Sequence, residues 1–226
     1  MFCYNLYMHE DELIDKLKSL AGFTIKEILF NKNISLVTSL KFDKGLVGKL
    51  IECFLGLINN NYAKQDFFDI GLELKTIPVN NLGFPVEDTF VCSAKLIGNF
   101  DYSWKSSYVK NKISRVLWIP VENCRRMSIL DKRIGLPIIW SPNCVEKKLL
   151  KIDWEEIMNF IILGEIEKLD SIYGNILYIK SKAKNSNCLT NAIGNDGKII
   201  MVNPKSFYLR KSFTKQILFR NFNYKI

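Results

Sequence analysis

The chain has 226 residues, 48% apolar and 24% charged, a size and balance that suit one globular α/β unit with its own core. Its net charge of +9 is unevenly placed: from Ile176 onward ten Lys or Arg stand against one acid, Asp196, so the remaining residues sum to zero. A single histidine, His9, argues against His-based triads and His-metal chemistry, and six scattered cysteines without a close pair argue against a zinc site or a disulfide framework.

Residues 1–13 lack the basic start of a secretory signal, and the apolar runs at 50–58 and 160–163 are too short to cross a bilayer. The expectation is a cytoplasmic protein with reduced thiols. Apolar positions 13, 17 and 20 predict a helix over Glu12 to Leu20, closing near Gly22. Thr24-x-x-Glu27 reads as a capping box for a short second helix, and Asp43 as the cap of a longer helix reaching about Ile58. On that helix Leu46, Leu50, Cys53, Phe54 and Leu57 fall on one side, with Glu52 opposite and flanked by Gly45, Gly48 and Gly56.

The period then changes from helix to strand. Ile70 to Lys75 alternates apolar and polar residues, and Thr89 to Leu96 and Arg115 to Val121 also read as strands. Asp153 is expected to open an amphipathic helix carrying Trp154, Ile157, Ile161, Ile166 and Leu169, ended by Gly174. Ile176 to Lys180 and Lys198 to Val202 could pair as strands, and Ser212 caps a last helix over Phe213 to Asn221. Helices and strands mix without strict alternation, which predicts a mixed sheet flanked by helices. No repeat or linker divides the chain, so residues 1–226 are expected to form one domain, with a core over roughly 40–125 and a basic region over roughly 175–226.

Phosphodiester hydrolysis without histidine needs carboxylates to hold a divalent metal and a cation to offset charge in the transition state. Asp66, Glu73 and Lys75 supply these types. Glu73 and Lys75 are two apart on a strand and share a face, while Leu72 and Leu74 turn to the core. The spacing Asp-x6-Glu-x-Lys is common, and an ordinary solvent-facing Glu and Lys fit it equally well. Glu52 adds a third carboxylate on a glycine-lined helix face, where another backbone or DNA can come close.

Three segments mix lysines with aromatic rings, the composition of a nucleic-acid groove. They are Asp101 to Arg115, with Trp104, Tyr108 and Lys112; Lys180-Ser181-Lys182-Ala183-Lys184; and Lys205 to Lys211, with Phe207 and Tyr208. Each alone also suits a solvated surface. Together with a neutral body and a basic end, they point to DNA.

Several strings then carry a family likeness: Asp43-Lys44-Gly45, Gln65-Asp66-Phe67, Gly71 to Val79, Thr89-Phe90-Val91-Cys92, Arg115 to Val121, Trp140-Ser141-Pro142-Asn143, Asp153-Trp154-Glu155-Glu156 and Phe207-Tyr208-Leu209. In this order they resemble the MutH family of methyl-directed mismatch-repair endonucleases along nearly the whole chain. The resemblance implies a restriction-endonuclease-like α/β fold, a mixed β-sheet flanked by helices, in a monomer with two lobes around a DNA cleft. It implies nicking of the unmethylated strand at hemimethylated GATC sites, 5′ of the G, on activation by MutL that MutS has loaded. Asp66 and Glu73 would then bind Mg²⁺ with help from Glu52, and Lys75 would orient the attacking water. Lys44 would lie in a mobile loop near the cleft, Lys112 would be a second active-site lysine, Lys180 and Lys182 would face the bases, and Tyr208 would sit beside the adenine whose methylation is tested. Lys180 stands where the family is expected to carry an arginine, whose planar bidentate contact a lysine cannot make. A restriction enzyme for the same site, and a catalytically silent DNA binder, are the competing readings. The single carboxylate centre favours nicking, and the intact Asp66, Glu73 and Lys75 set speaks against silence.

Overall fold

The computed structural model describes residues 9–31, 45–56, 65–99, 103–183 and 185–222. In chain order the helices are α1 (Glu10–Lys18), α2 (Ile25–Asn31), α3 (Leu46–Phe54), α4 (Tyr108–Ile113), α5 (Cys144–Ile162) and α6 (Lys211–Phe222). The strands are β1 (Glu73–Val79), β2 (Thr89–Ser93), β3 (Val116–Glu122), β4 (Ile138–Trp140), β5 (Leu177–Ser181), β6 (Thr190–Ile193), β7 (Ile199–Val202) and β8 (Lys205–Leu209). This is the mixed α/β architecture expected of a restriction-endonuclease-like fold. The described residues form two compact units. One runs up to Val86 and adds Arg115–Trp140, and the other comprises Glu87–Ser114 and the residues from Ser141 onward.

In the first unit β3 lies between β1, to which it is parallel, and β4, to which it is antiparallel. A strand covered on both sides reads as an unbroken apolar run, as Val116 to Val121 does. Leu72 and Leu74 with Leu117 and Ile119 pack into one core with Leu13 and Leu17 of α1, Ile25 and Ile28 of α2, and Ile51 of α3. Acidic residues in the first turn of α1 and Lys16 and Lys18 in its last both complement the helix dipole. The capping box of α2 is formed: Glu27 N–H donates to Thr24 Oγ1 at 3.2 Å, and Thr24 N–H to Glu27 Oε2 at 2.7 Å.

Two expectations shift here. Asp43 lies outside the described residues, and α3 has Gly45 at its N-cap and ends at Phe54, with Leu55 as its C-cap. Its buried side is Ile51 and Leu55, with Val47, Leu50 and Phe54 partly covered, while Cys53 is exposed. The stripe is rotated from the expected one, so Glu52 is half-buried at its flank instead of opposite it. The strand expected from Ile70 begins at Glu73, because Phe68–Ile70 form a 3₁₀ turn.

In the second unit β8 lies between β2 and β5, antiparallel to both, and β6 and β7 form a separate hairpin. The expected pairing of Ile176–Lys180 with Lys198–Val202 does not occur. β5 pairs with β8 and β7 with β6, because Asp196 and Gly197 close a local turn that claims β7 first. The long helix α5 starts nine residues before Asp153. Asn143 caps it, its side chain accepting from Glu146 N–H, and Glu146 Oε2 returns the bond to Asn143 N–H. The helix ends at Ile162 with Leu163 as its C-cap, after which Gly164 turns left-handed (φ +74°) and a Cβ would stand 2.2 Å from the Gly194 carbonyl oxygen. Ile166 and Leu169 are buried beyond it, on and just after a short 3₁₀ turn.

Asp153 therefore sits in mid-helix, fully buried, and acts as a clamp. Its Oδ1 accepts Asn175 N–H and Asn175 Nδ2, and its Oδ2 accepts the N–H groups of Ile176 and Leu177, all between 2.8 and 3.0 Å. This fixes the start of β5 against α5. The last helix is capped from a distance: Lys211 N–H donates to Asp88 Oδ1, so α6 begins one residue before Ser212.

Candidate active site and DNA-facing sheet

A hairpin just ahead of β1 builds the carboxylate site. Phe67 and Leu72 exchange both backbone hydrogen bonds, at 2.9 and 3.1 Å, across the 3₁₀ turn. Gly71 closes the turn in the left-handed region (φ +63°), and Gln65 Nε2 donates to its carbonyl at 2.9 Å. The bridge returns the chain so that Asp66, just before Phe67, reaches β1, its Oδ2 accepting from the N–H of Leu74, the residue after Glu73. The six-residue interval between these carboxylates is thus the length of one tight hairpin.

β1 is the edge strand of its sheet, and the Leu74 N–H on its free side is taken by Asp66 Oδ2 at 2.9 Å. Glu73 and Lys75, on either side of Leu74, are 4% and 9% exposed, so neither is the solvent-facing group that the spacing alone would allow. Lys75 Nζ donates to Glu73 Oε1 at 3.1 Å. Their cross-strand neighbours on β3 are Val116 and Trp118, both fully buried, so the ion pair sits on an apolar floor.

Among the described residues no three His, Cys, Asp or Glu side chains come together as a metal cluster, so Glu52 is not gathered in with Asp66 and Glu73. α3, which carries Glu52, packs beside β1. Two carboxylates with a neighbouring ammonium are still chemically suited to a hard divalent cation, which such groups can hold while it keeps several waters. Lys44 lies outside the described residues, and Lys112 is half-buried on α4 in the second unit.

The second unit gathers Lys180, Lys182 and Tyr208 on its sheet. Phe90 of β2, Tyr208 of β8 and Tyr178 of β5 are cross-strand neighbours and so share one face. Their ring centroids step 5.6 Å from Phe90 to Tyr208 and 6.1 Å from Tyr208 to Tyr178. Lysines lie over the rings: Lys180 Nζ is 4.2 Å from the Tyr208 centroid, and Lys182 Nζ is 3.9 Å from that of Phe90. Burial pushes the Tyr208 hydroxyl above the ordinary tyrosine range, and the nearby Lys180 charge only partly opposes it. Such a strip of rings and ammonium groups can meet bases with its faces and phosphates with its charges.

Arg210 also belongs to this region but is turned inward. Its guanidinium donates to the Ser171, Tyr173 and Gly174 carbonyls and stacks 4.4 Å from the Tyr178 centroid. Sequence reasoning begins this face at Lys180 and leaves out Tyr178 and Phe90. The alternation Tyr178-x-Lys180-x-Lys182 carries the signal for Tyr178, whereas Phe90 joins only through the β2–β8 register.

The chain is 47% identical over 214 residues to the DNA mismatch repair protein MutH of Photorhabdus laumondii, covering 95% of this chain and 94% of that protein. It belongs to the MutH family. The family model described as DNA mismatch repair enzyme MutH matches residues 55–153, which include Asp66, Glu73 and Lys75. MutH proteins of Serratia proteamaculans and Pectobacterium atrosepticum are 44% and 46% identical over 95% of this chain, covering 94% and 93% of their own lengths. As a MutH-family member the chain is a mismatch-repair endonuclease, an enzyme that nicks DNA. No helix among the described residues is long and apolar enough to cross a membrane.

Proposed function

We propose that this endonuclease is Mg²⁺-dependent and nicks the unmethylated strand of hemimethylated GATC sites, 5′ of the G, as a cytoplasmic monomer activated by MutL that MutS has loaded. The observation that carries the chemistry is the hairpin that brings Asp66 onto β1, where its Oδ2 accepts the Leu74 N–H next to Glu73, with Lys75 3.1 Å from the Glu73 carboxylate. Asp66 and Glu73 would hold the metal, which when bound would supply polarisation of the scissile phosphate and acidification of a water; Glu52, on α3 beside β1, is not gathered with them. Lys75 orients the attacking water and offsets negative charge on the phosphate. A buried ammonium does this better than an exposed one, because water screens it less. Lys44 and Lys112 contact the DNA backbone, Lys180 and Lys182 face the bases, and Tyr208 lies beside the adenine.

The test is nicking with Mg²⁺, MutL and ATP on a hemimethylated GATC duplex and on the same duplex fully methylated. Cleavage of the hemimethylated duplex alone is expected, confined to its unmethylated strand. Equal nicking of both duplexes refutes methyl sensing, and full activity of Asp66→Ala refutes the carboxylate assignment.

A further inference from the structure

Asp88 stands just before β2, at a position with no role in the site described above. Its Oδ2 accepts the Tyr178 hydroxyl at 2.6 Å and lies 3.4 Å from Lys180 Nζ, while its Oδ1 takes the Lys211 N–H at 2.8 Å. One side chain thereby ties the start of β2 to β5 and to the first turn of α6. The Lys180 ammonium that it holds is the one lying over the Tyr208 ring, with the Tyr178 ring centroid 5.5 Å away. A lysine at an open sheet surface samples many rotamers. Here a carboxylate and two rings surround its ammonium.

The Lys180–Asp88 pair is partly exposed, so its contribution to stability is small and its effect is orientation. The carboxylate stays charged. Burial pushes it up, but the bonds from Tyr178 and Lys211 and the Lys180 charge outweigh this and hold it below the ordinary aspartate range.

We propose that Asp88 is a positioning residue for DNA recognition: it fixes the Lys180 ammonium against the Tyr208 ring, where a base edge can use it, and its own charge turns away stray phosphates. Released from Asp88, Lys180 would become a mobile cation that any phosphate can attract, which raises binding without raising discrimination. The proposal rests on the reading that Lys180 faces the bases.

The test measures affinity for a GATC duplex and for a scrambled duplex of equal length, with Ca²⁺ in place of Mg²⁺, for Asp88→Asn, Lys180→Met and the double variant. Asp88→Asn should lower the GATC-to-scrambled ratio about three- to tenfold, chiefly by tightening the scrambled complex and steepening its salt dependence. In the Lys180→Met background the same change should do almost nothing. An unchanged ratio in Asp88→Asn overturns the proposal, and so does a loss of equal size with Lys180→Met already present. Tyr178→Phe removes the shortest bond to Asp88 while keeping both charges, and should lower the ratio by a smaller factor. If Asp88→Asn does not fold, Tyr178→Phe with and without Lys180→Met completes the same cycle, and an unchanged ratio or an equal loss in both backgrounds again overturns the proposal. If Lys180→Met alone leaves GATC binding intact, the placement of Lys180 on the bases fails and the proposal with it. That failure is distinct from one in which Lys180 matters and Asp88 does not.

Discussion

The buried pair of Glu73 and Lys75 makes the most demanding prediction. At 3.1 Å and an effective dielectric near 20, their attraction is about 5 kcal/mol. Desolvating two ions costs several kcal/mol each, so the intact pair contributes little net stability. Removing one partner is different, because the other is left charged on the apolar floor made by Val116 and Trp118. Lys75→Met and Glu73→Gln should therefore each destabilise the protein by about 3–5 kcal/mol. The double variant Glu73→Gln/Lys75→Met should return to within about 1 kcal/mol of wild type, or exceed it. All three should lose nicking by at least about a hundredfold, since activity does not recover with stability. Urea denaturation at pH 7 measures the first quantity and single-turnover nicking the second. Millimolar Mg²⁺ should stabilise Lys75→Met more than wild type, because the ion replaces the missing countercharge on Glu73. Single variants within about 1 kcal/mol of wild type, or a double variant that sums the two losses, would refute the coupling argued from the geometry.

Asp153→Ala should cost about 3–5 kcal/mol in a denaturant titration, since it strands the backbone donors of Asn175, Ile176 and Leu177, while nicking per folded molecule at low temperature stays near wild type. Gly71→Ala should cost about 1 kcal/mol. The added Cβ meets Gln65 Oε1 at an ordinary 3.6 Å, so the cost lies in the left-handed backbone, and the nicking rate should fall further than stability as Asp66 shifts. The Asp88 carboxyl is held below its ordinary range, so its stabilising contribution is present above the ordinary aspartate value and is lost as pH falls through its folded value. Acid unfolding curves of wild type and Asp88→Asn should accordingly separate above the ordinary aspartate value, about pH 4, and converge as pH falls through the lower folded value.

The first unit is the more legible part of the sequence. The Thr24–Glu27 cap, the Leu13 and Leu17 stripe and the apolar run of β3 are local signals, and each appears where the pattern places it. The partnership of Glu73 and Lys75 follows from strand period alone. Their burial does not, because alternation shows which residues share a face and not what covers it. The start of α5 is misplaced by its sequence because an acidic residue in the middle of a helix looks like a cap. Asp153 is indeed capping backbone donors, but those donors belong to a segment more than twenty residues away. The pairing of β5 with β8 and the joining of Phe90 to Tyr208 depend on contacts distant in sequence, which no window of neighbouring residues contains.

The engaged cations of the C-terminal segment change what its charge means. Arg210 is spent on three carbonyls, Arg220 on Glu146, Lys180 on Asp88, and Lys205 reaches the Leu169 carbonyl from a site where burial lowers its affinity for a proton. These four of the ten basic groups from Ile176 onward thus already have partners within the protein. Each phosphate neutralised by a cation contributes about 0.9 to the slope of log affinity against log salt. The number of salt ions this segment sheds on meeting DNA should therefore fall well short of its formal charge, and binding should persist at ionic strengths where a freely charged tail would let go.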